Sequence, residues 1–464
     1  MTRLLGLPTA RSTAHRYRAA LILGCLATFV AMLAYAGPLG NAVVLDRELA
    51  AGPQGAIWIL SAMSAGLAAS LLVVGILADD YGRRRVFRWG AVVFAIGAVL
   101  AAAATDVLMF VVGRVVQGAG AAGLIATAVP LINAAGAGNP QPARTARWWG
   151  ATMGAGIAVG PVLTGVLDLA SAWRLFYAGL AVAALLVAAA GNRVFSAEPD
   201  TRPRRPDLLG FGLLLATLTS LLTGLVELRG AGGGVAWVLF IAAALFGAGL
   251  VASQLRRTVT LLDVALFRHR PFIGVTVAGF ATGAGVIALM SFCCTFLITE
   301  LSLSSLQAGL VLAVWSGTSA LTAIVSGRRS GSVGPGRLIV GLVGVSAGLL
   351  LLLNVFAPVS PAELLPGLLV TGAATGVLNG SLAAQSVATV PADRTAMGAA
   401  ANNTVRYLGA SIGVTVISVL AHPQAGAVAG WRLVAALGAG ISVVGAVAVA
   451  VLTARSARHL GRCQ

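Results

Sequence analysis

Long stretches without any charged residue limit what this chain can fold into. The runs at 19–45, 49–78, 271–299 and 364–392 contain no Asp, Glu, Lys or Arg. Each exceeds the ~20 apolar residues that an α-helix needs to cross a bilayer. Charged residues make up only 10% of the chain, whereas soluble domains carry about 25%. The runs therefore predict a polytopic membrane protein.

The apolar runs predict helices and not strands, so the expected fold class is all-α. In hydrocarbon the backbone must satisfy its own hydrogen bonds, and these runs are too long and too uniform for the alternating strands of a barrel. The sequence favours fourteen transmembrane helices, although the runs alone do not separate fourteen from twelve. The expected ranges are 19–44, 55–78, 88–105, 107–134, 147–168, 173–193, 208–227, 235–254, 272–298, 306–326, 338–357, 363–388, 396–420 and 430–453.

The basic residues are distributed unevenly along the chain. The net charge is +17, and all 31 basic residues are Arg. With fourteen helices, 25 Arg residues fall on one side of the membrane and four on the other, while the 14 acidic residues divide equally. An asymmetry in basic but not acidic residues is the positive-inside rule. We therefore expect a multi-pass protein of the cytoplasmic membrane with both termini in the cytoplasm.

The loops argue against several other classes of protein. Basic loops can bind anionic lipid or nucleic acid, but none is long enough to form a domain, so we expect membrane lipids as partners and no nucleic acid. No loop holds a catalytic constellation, which argues against an enzyme. None of the four His lies in an expected span, so we expect no metal site. We also expect no cofactor and a monomeric protein.

Two Arg-rich linkers divide the chain. The linker at 194–206 contains three Pro and clustered charges, which prevent a continuous helix. The second linker spans 255–270. We therefore predict an N-terminal six-helix bundle at 1–193, an inserted two-helix hairpin at 207–254, and a C-terminal six-helix bundle with a cytoplasmic tail at 271–464.

Short motifs follow one another along the expected helices. The turn after the second helix reads Gly75-Ile-Leu-Ala-Asp79-Asp-Tyr-Gly82-Arg83-Arg84. The fourth and fifth helices contain Arg114-Val-Val-Gln117-Gly118-Ala-Gly120 and Gly156-Ile-Ala-Val-Gly160-Pro161-Val-Leu-Thr164-Gly165. The thirteenth contains Asn403-Thr-Val-Arg406-Tyr-Leu-Gly409. In this order the motifs resemble the major facilitator superfamily, in its fourteen-helix drug/proton antiporter branch, although Thr164 replaces a glycine of the antiporter motif.

The resemblance implies that the turn at 75–85 is a conformational gate. Its expected members are Gly75, Asp79, Gly82, Arg83 and Arg84. Asp79 at a helix end can pair with a nearby Arg or face the positive N-terminus of a helix in the other half. A contact that exists in only one carrier state supplies the free-energy difference that a switch needs. The alternative is that the Arg residues only fix the topology, which would not require the ordered Gly and Asp positions.

Two Arg residues lie inside expected helices, where a charge is costly and functional use is the default hypothesis. The resemblance implies that Arg114, Gln117 and Arg406 take part in proton coupling. The alternative for Arg114 is a structural ion that hydrogen-bonds to Gln117 and nearby carbonyls. The alternative for Arg406 is a side chain that extends towards the cytoplasmic surface.

The fifth helix is expected to pack unusually closely. Gly156, Gly160 and Gly165 permit a close approach of neighbouring helices, and Pro161 can kink the helix. The resemblance implies a hinge between the two halves at these residues. The alternative is a tight packing seam without a role in coupling.

Substrate sites in such folds lie near the midplane, between the halves. Polar or aromatic candidates at a suitable depth are Tyr35, Asn41, Trp58, Trp315, Asn379 and Gln385. Each of them could instead serve only in packing. The scarcity of charge suggests a neutral or amphipathic organic substrate, although aromatic faces can also bind a cation.

Two departures from the branch pattern concern acidic residues. The first helix lacks the acid that branch members usually carry, and Asp168, Glu227 and Glu300 all lie near external helix ends. The second-half counterpart of the gate, at 327–337, keeps Gly and Arg but has no Asp. We expect export of a lipophilic small molecule by alternating access in exchange for protons. The alternatives are a proton-independent facilitator or substrate-gradient carrier of a small organic solute and, from another class, a non-transporting polytopic sensor or enzyme.

Overall fold

The structure is a computed structural model that describes residues 10–136, 141–195, 207–228, 233–256, 269–326, 334–354, 360–420 and 427–460. Within these ranges all regular secondary structure is helical. The all-α fold class is therefore confirmed. Most of the predicted linkers at 194–206 and 255–270, the motif residues 327–333 and the tail residues 461–464 lie outside the described residues.

The α-helices are numbered here in chain order. They are α1 (Ala10–Ala36), α2 (Pro38–Glu48), α3 (Gly52–Tyr81), α4 (Arg83–Ala102), α5 (Val107–Ala135), α6 (Pro142–Asp168), α7 (Trp173–Val194), α8 (Leu208–Glu227), α9 (Gly233–Leu255), α10 (Arg270–Ala281), α11 (Ala288–Thr299), α12 (Ser305–Ser326), α13 (Gly336–Leu351), α14 (Pro361–Ala388), α15 (Thr395–Leu420) and α16 (Ala427–Leu460). A π-helix at Thr282–Ile287 joins α10 to α11, and a 3-10 turn at Ala392–Arg394 precedes α15.

A helix occupies each of the fourteen predicted positions, but not every helix has the length and hydropathy of a membrane span. In the described part of the chain, twelve spans satisfy both criteria. The two other positions are α13, an apolar helix of only 16 residues, and α15, which contains Arg406 and two adjacent Asn residues. The number of fourteen crossings therefore stays a prediction.

Two of the predicted helices are interrupted. The first breaks after Ala36, because Pro38 starts a new helix and has no N–H to continue the old one. Asn41, just beyond the break, has non-helical backbone angles. The predicted helix at 272–298 is interrupted by the π-helix, and π-bulges often occur at functional sites. Both irregular segments lie near the interface between the two halves of the molecule.

Two hydrophobic cores organise the helices. The first core is formed chiefly by α1–α9, with side chains such as Phe94, Phe110 and Tyr177. The second is formed by α10–α16, with Phe296 stacked on Trp431 at 4.8 Å between ring centroids. We refer to α1–α7 as the first half and to α10–α16 as the second half. The hairpin α8–α9 packs beside them, and α8 contacts both α3 and α15.

The two halves meet along two seams. In the α3/α15 seam, α3 of the first half packs on α15 of the second. In the α6/α12 seam, α6 of the first half packs on α12 of the second. We name the ends of the molecule by two acidic residues: the Asp79 end is where α3 ends, and the Glu227 end is where α8 ends.

Candidate functional site

Asp79 joins the two halves at the Asp79 end. Its carboxylate accepts hydrogen bonds from the backbone N–H groups of Met397, at 2.8 Å, and Ala396, at 3.2 Å. Both groups belong to the first turn of α15, whose N–H groups have no partner within the helix. The positive end of the helix dipole favours an anion there. Because the Asp79 side chain is fully buried, water does not compete for these bonds.

Two Arg residues extend this contact. Arg83 donates to Asp79 through Nε, at 3.0 Å, and through Nη2, at 2.9 Å. Nη2 of Arg83 also donates to the Ala392 carbonyl in the other half, at 3.2 Å. Beside them, Arg394 of the second half lies 3.1 Å from the Asp80 carboxylate. We call this group of interactions the latch.

The remaining predicted gate residues have different surroundings. Gly75 lies against α15 so closely that a Cβ there would be 2.9 Å from the Ala396 carbonyl oxygen and would overlap the Ala400 side chain. Gly82 separates α3 from α4. Its backbone φ is 101°, a value that residues other than Gly rarely adopt. Arg84 donates to the Asn192 carbonyl, at 2.8 Å. Its contact therefore lies within the first half and does not cross the seam.

Arg114 lies in a buried polar cluster of the first half. Its Nη1 donates to the Gln117 side chain and its Nη2 donates to the Ala34 carbonyl, at 2.8 Å. The guanidinium also lies 5.7 Å from the centre of the Tyr177 ring. Asn41 is buried beside Tyr177 in the same cluster. These partners fix Arg114 against the break between α1 and α2, and its predicted role in coupling stays a prediction.

The predicted hinge residues place α6 between two helices. A Cβ at Gly156 would lie 2.9 Å from the Phe29 carbonyl of α1, and one at Gly160 would lie 2.8 Å from the Leu33 carbonyl of α1. On the other face of α6, a Cβ at Gly165 would lie 3.0 Å from the Cα of Leu306 in α12. Gly309 of α12 packs on Pro161 in the same way. The glycines therefore allow close packing within the first half and across the α6/α12 seam.

A small central cavity of about 60 Å³ lies between the halves. Three of the predicted substrate residues line it, namely Tyr35, Trp315 and Asn379. Arg406 lines it as well, so this side chain faces the interface between the halves and does not extend to the surface at the Asp79 end. Other lining residues that the sequence did not single out are Met32, Met153, Met290 and Tyr407.

The other three predicted substrate residues lie outside this cavity. Asn41 belongs to the polar cluster around Arg114 because the break after α1 turns it towards Tyr177. Trp58 donates its indole N–H to Glu227, at 2.9 Å. Gln385 is half-buried near the end of α14. The expected depth of a residue in the membrane does not determine which face of its helix the residue occupies.

A larger cavity of about 400 Å³ adjoins the central one. It lies towards the Glu227 end, between Ile57 and Leu60 of α3 and Val414 of α15. Tyr35 and Ser291 line both cavities, so the larger one continues the central one. The α3/α15 seam is therefore closed by the latch at the Asp79 end and separated at the other end.

Glu227 attaches the inserted hairpin to this seam. Its carboxylate accepts hydrogen bonds from Trp58 and Gln54 of α3, both at 2.9 Å. Two residues earlier, the Leu225 carbonyl accepts a hydrogen bond from Thr415 of α15, at 3.1 Å. The end of α8 thus contacts both sides of the α3/α15 seam. Asp168, at the end of α6, lines neither cavity.

A signal for the missed cavity residues is present in the sequence. Arg406 and Tyr407 are adjacent, and Tyr407 packs edge-to-face on Tyr35 with ring centroids 5.6 Å apart. Aromatic and Met residues beside an intramembrane charge are a plausible wall for a ligand site. Among the described residues, no group of three or more His, Cys, Asp or Glu is arranged to hold a metal ion.

Comparison with known proteins connects this geometry with a transporter family. A model described as the Major Facilitator Superfamily matches residues 24–414. The chain is 27% identical over 387 residues to the multidrug resistance protein Stp of Mycobacterium tuberculosis (strain CDC 1551 / Oshkosh), which covers 81% of this chain and 71% of that protein. It is 29% identical over 381 residues to a probable actinorhodin transporter of Streptomyces coelicolor (strain ATCC BAA-471 / A3(2) / M145), which covers 78% of this chain and 65% of that protein.

A solved structure has the same fold. The proton:xylose symporter XylE, bound to 6-bromo-6-deoxy-D-glucose, superposes with a TM-score of 0.69 over 94% of this chain and 95% of that chain. The sequences are only 13% identical, so this likeness concerns the fold alone.

Proposed function

Since this chain belongs to the Major Facilitator Superfamily, we propose that it exports a lipophilic or amphipathic small molecule across the cytoplasmic membrane by alternating access, in exchange for protons. The family and the helical fold identify a multi-pass membrane transporter. The direction, the substrate and the proton coupling are parts of the proposal.

The observation that carries the proposal is the asymmetry of the α3/α15 seam. The latch joins the halves at the Asp79 end, while a cavity of about 400 Å³ separates them towards the Glu227 end. An alternating-access carrier requires one end to close while the other opens. The Arg-rich loops would place the Asp79 end in the cytoplasm. The cavity would then open to the outside, as in a state that releases substrate.

The relatives support export of drug-like molecules. Stp is named as a multidrug resistance protein, and the Streptomyces relative is named as a probable transporter of actinorhodin. The central cavity agrees with a lipophilic cargo, because its wall combines Met32, Met153, Met290, Trp315 and Tyr407. Met side chains adapt to ligands of different shape, which suits a carrier of several substrates.

A specific observation favours a proton-independent carrier as a second candidate. Proton exchange needs a titratable group that both sides can reach in turn, and the described residues that line the central cavity include no Asp or Glu. Asp79 is engaged in the latch, and Glu227 attaches the hairpin to α3.

Two experiments test the proposal in order. Expression in a drug-sensitive host should lower the accumulation of at least one dye or antibiotic from a broad panel, relative to an empty vector. Unchanged accumulation across the panel would argue against export. For a substrate found in this way, collapse of the pH gradient across proteoliposomes should then abolish uphill transport. Persistence of transport would select the proton-independent carrier.

A further inference from the structure

Arg406 is a buried cation that faces the central cavity, and no acidic partner is present in the part of the chain that the structure describes. Only 2% of the residue is exposed. Nη2 donates to the Asn403 side chain, at 2.6 Å, and the guanidinium lies 3.9 Å from the Met153 sulfur. The Tyr407 ring is 5.4 Å away. Among the described residues, no Asp or Glu forms an ion pair with Arg406.

The neutral partners of Arg406 leave part of its charge uncompensated. An intramembrane charge normally pairs with another charge or with backbone carbonyls. The other intramembrane Arg offers a comparison, because Arg114 also lacks an acid but donates to the Ala34 carbonyl and to Gln117 away from the cavity. Arg406 instead contacts the Asn403 amide oxygen, the Met153 thioether and the Tyr407 ring, and no backbone carbonyl among the described residues accepts a hydrogen bond from it. The Nε atoms of both Arg residues have no hydrogen-bond partner within the described residues.

A second unsatisfied donor lies in the same cavity. Trp315 is 95% buried, and its indole N–H has no hydrogen-bond partner within the described residues. The Asn379 side chain lines the cavity as well. Buried donors without acceptors are rare because they cost free energy. Among the described residues, the cavity lining therefore combines a cation and an unpaired N–H group with no carboxylate, and an anionic ligand would supply acceptors to both donors.

From this arrangement we propose that the central cavity binds an organic anion: an aromatic molecule that carries an acidic group, such as a carboxylate or a phenolate. The inference rests on the proposed export function and specifies its substrate class. Arg406 binds the anionic group, Trp315 donates a hydrogen bond to it, and the Met and Tyr side chains contact the aromatic body. Larger ligands extend past Tyr35 and Ser291 into the adjoining cavity.

An anionic substrate also changes the driving force that the carrier needs. A membrane potential of 100 mV, negative inside, favours the outward movement of a monovalent anion by about fifty-fold. For a cation the same potential opposes export by that factor. An exporter of anions can therefore work with or without proton exchange. The absence of an acid from the cavity lining is consistent with this substrate class.

The test uses two dyes that share a xanthene ring system but differ in charge. Binding of fluorescein, an anion, and of rhodamine 123, a cation, is measured by fluorescence polarisation on the purified full-length chain in detergent at pH 8. We expect fluorescein to bind at least tenfold more tightly than rhodamine 123. Arg406→Gln should weaken fluorescein binding at least tenfold and leave rhodamine 123 binding unchanged or improved. Arg406→Lys keeps the charge but loses the planar guanidinium, so it should weaken fluorescein binding less than Arg406→Gln does.

A second variant keeps the test decisive if Arg406→Gln does not fold. Trp315→Phe retains an aromatic ring and removes only the N–H group, so we expect about a threefold loss for fluorescein and none for rhodamine 123. Equal or tighter binding of rhodamine 123 by the wild type would overturn the proposal. Equal losses for both dyes in the variants would overturn it as well.

Transport assays separate this inference from the export function on which it rests. In proteoliposomes, a potassium diffusion potential with valinomycin sets the sign of the membrane potential. A chain that binds fluorescein selectively but moves no dye would refute export and retain the anion site. A chain that exports rhodamine 123 but neither binds nor moves fluorescein would retain export and refute the anion site.

Discussion

The two seams between the halves are built on different principles. The α6/α12 seam is packed along its length. A Cβ at Gly150 would lie 3.6 Å from the Ala323 Cβ towards one end, one at Gly154 would lie 2.8 Å from the Ser316 carbonyl oxygen near the middle, and one at Gly165 would lie 3.0 Å from Leu306 at the other end. The α3/α15 seam is joined at the Asp79 end by a buried carboxylate and is separated at the Glu227 end by a cavity. Close packing depends on many small contacts, whereas a latch of a few charged groups can break as a unit. From this difference we predict that the α3/α15 seam opens during transport and that the α6/α12 seam stays in contact.

The largest effect on the difference between the two seams is expected from removing the negative charge of Asp79. Asp79→Asn keeps the shape of the side chain but weakens its bonds to the α15 N-terminus and to Arg83. We expect the equilibrium between the two carrier states to shift by about 3 kcal/mol, or roughly 150-fold, towards opening of the Asp79 end. Dye transport should fall at least tenfold. The measurement is efflux in a drug-sensitive host, with the amount of protein in the membrane as the control.

The conformational part of this prediction can be measured directly. Ala400 contacts Gly75 across the closed seam, so Ala400→Cys reports whether this region is accessible. Alkylation of that cysteine by a water-soluble maleimide should be at least tenfold faster in the Asp79→Asn background. Equal rates in both backgrounds would contradict a gating role for Asp79.

The stability of the α6/α12 seam should depend on the size of its side chains and not on their charge. A Cβ at Gly154 would lie 2.8 Å from the Ser316 carbonyl oxygen and 2.9 Å from the Ala320 nitrogen, so Gly154→Val forces the two backbones apart. We expect a loss of about 2 kcal/mol in stability, the usual cost of overpacking a core. Gly317 lies on α12 with nothing near its Cβ position, so Gly317→Val is the matched control. Thermal unfolding in detergent should show a clear fall only for Gly154→Val.

The outcome for transport distinguishes the two seams further. If the α6/α12 seam acts as the axis, Gly154→Val should reduce transport and stability together. A variant that loses transport but unfolds at the wild-type temperature would indicate that this seam also opens. In that case the contrast with the α3/α15 seam would be wrong.

The inserted hairpin provides a way to test the open end of the α3/α15 seam. Glu227→Ala removes the acceptor of both Trp58 and Gln54, while the bond from Thr415 to the Leu225 carbonyl is retained. We expect a loss of about 1.5 kcal/mol, typical of hydrogen bonds to a charged group. The control is Glu300→Ala, an exposed acid at the end of α11. Proteolysis of the linkers next to the hairpin should accelerate in Glu227→Ala and not in Glu300→Ala.

The sequence predicts those features that depend on composition over many residues. Uncharged runs locate the helices because a span must be apolar along its whole length, and the ordered motifs indicate the family. The break after Ala36 is less accessible, since Pro38 and Gly37 permit it without requiring it. The π-helix at Thr282–Ile287 has no comparable residue signal, because its extra residue per turn depends on packing against α15 and α16.

The site is predicted only as far as residue type and depth allow. Intramembrane charge identifies both Arg114 and Arg406 as candidates and does not distinguish between them. In the structure, Arg114 lies in a polar cluster of the first half, whereas Arg406 lines the central cavity. Trp58 was a cavity candidate, but its partner Glu227 is 169 residues away in the chain. Such partners follow from how the hairpin docks on α3, which local sequence does not encode.

The smallest effect should come from the second carboxylate of the latch, which separates burial from charge. Asp80 is adjacent to Asp79 and also pairs across the seam, with Arg394, at 3.1 Å. Its side chain is 16% exposed, whereas that of Asp79 is fully buried. Partly exposed ion pairs contribute about 0–1 kcal/mol and are screened by salt. Asp80→Asn should therefore reduce transport less than about threefold. The difference in transport between this variant and the wild type should shrink in ~0.5 M salt, where the Debye length is roughly 4 Å. A loss as large as that of Asp79→Asn would mean that charge across the seam, and not burial against the α15 N-terminus, holds the latch closed.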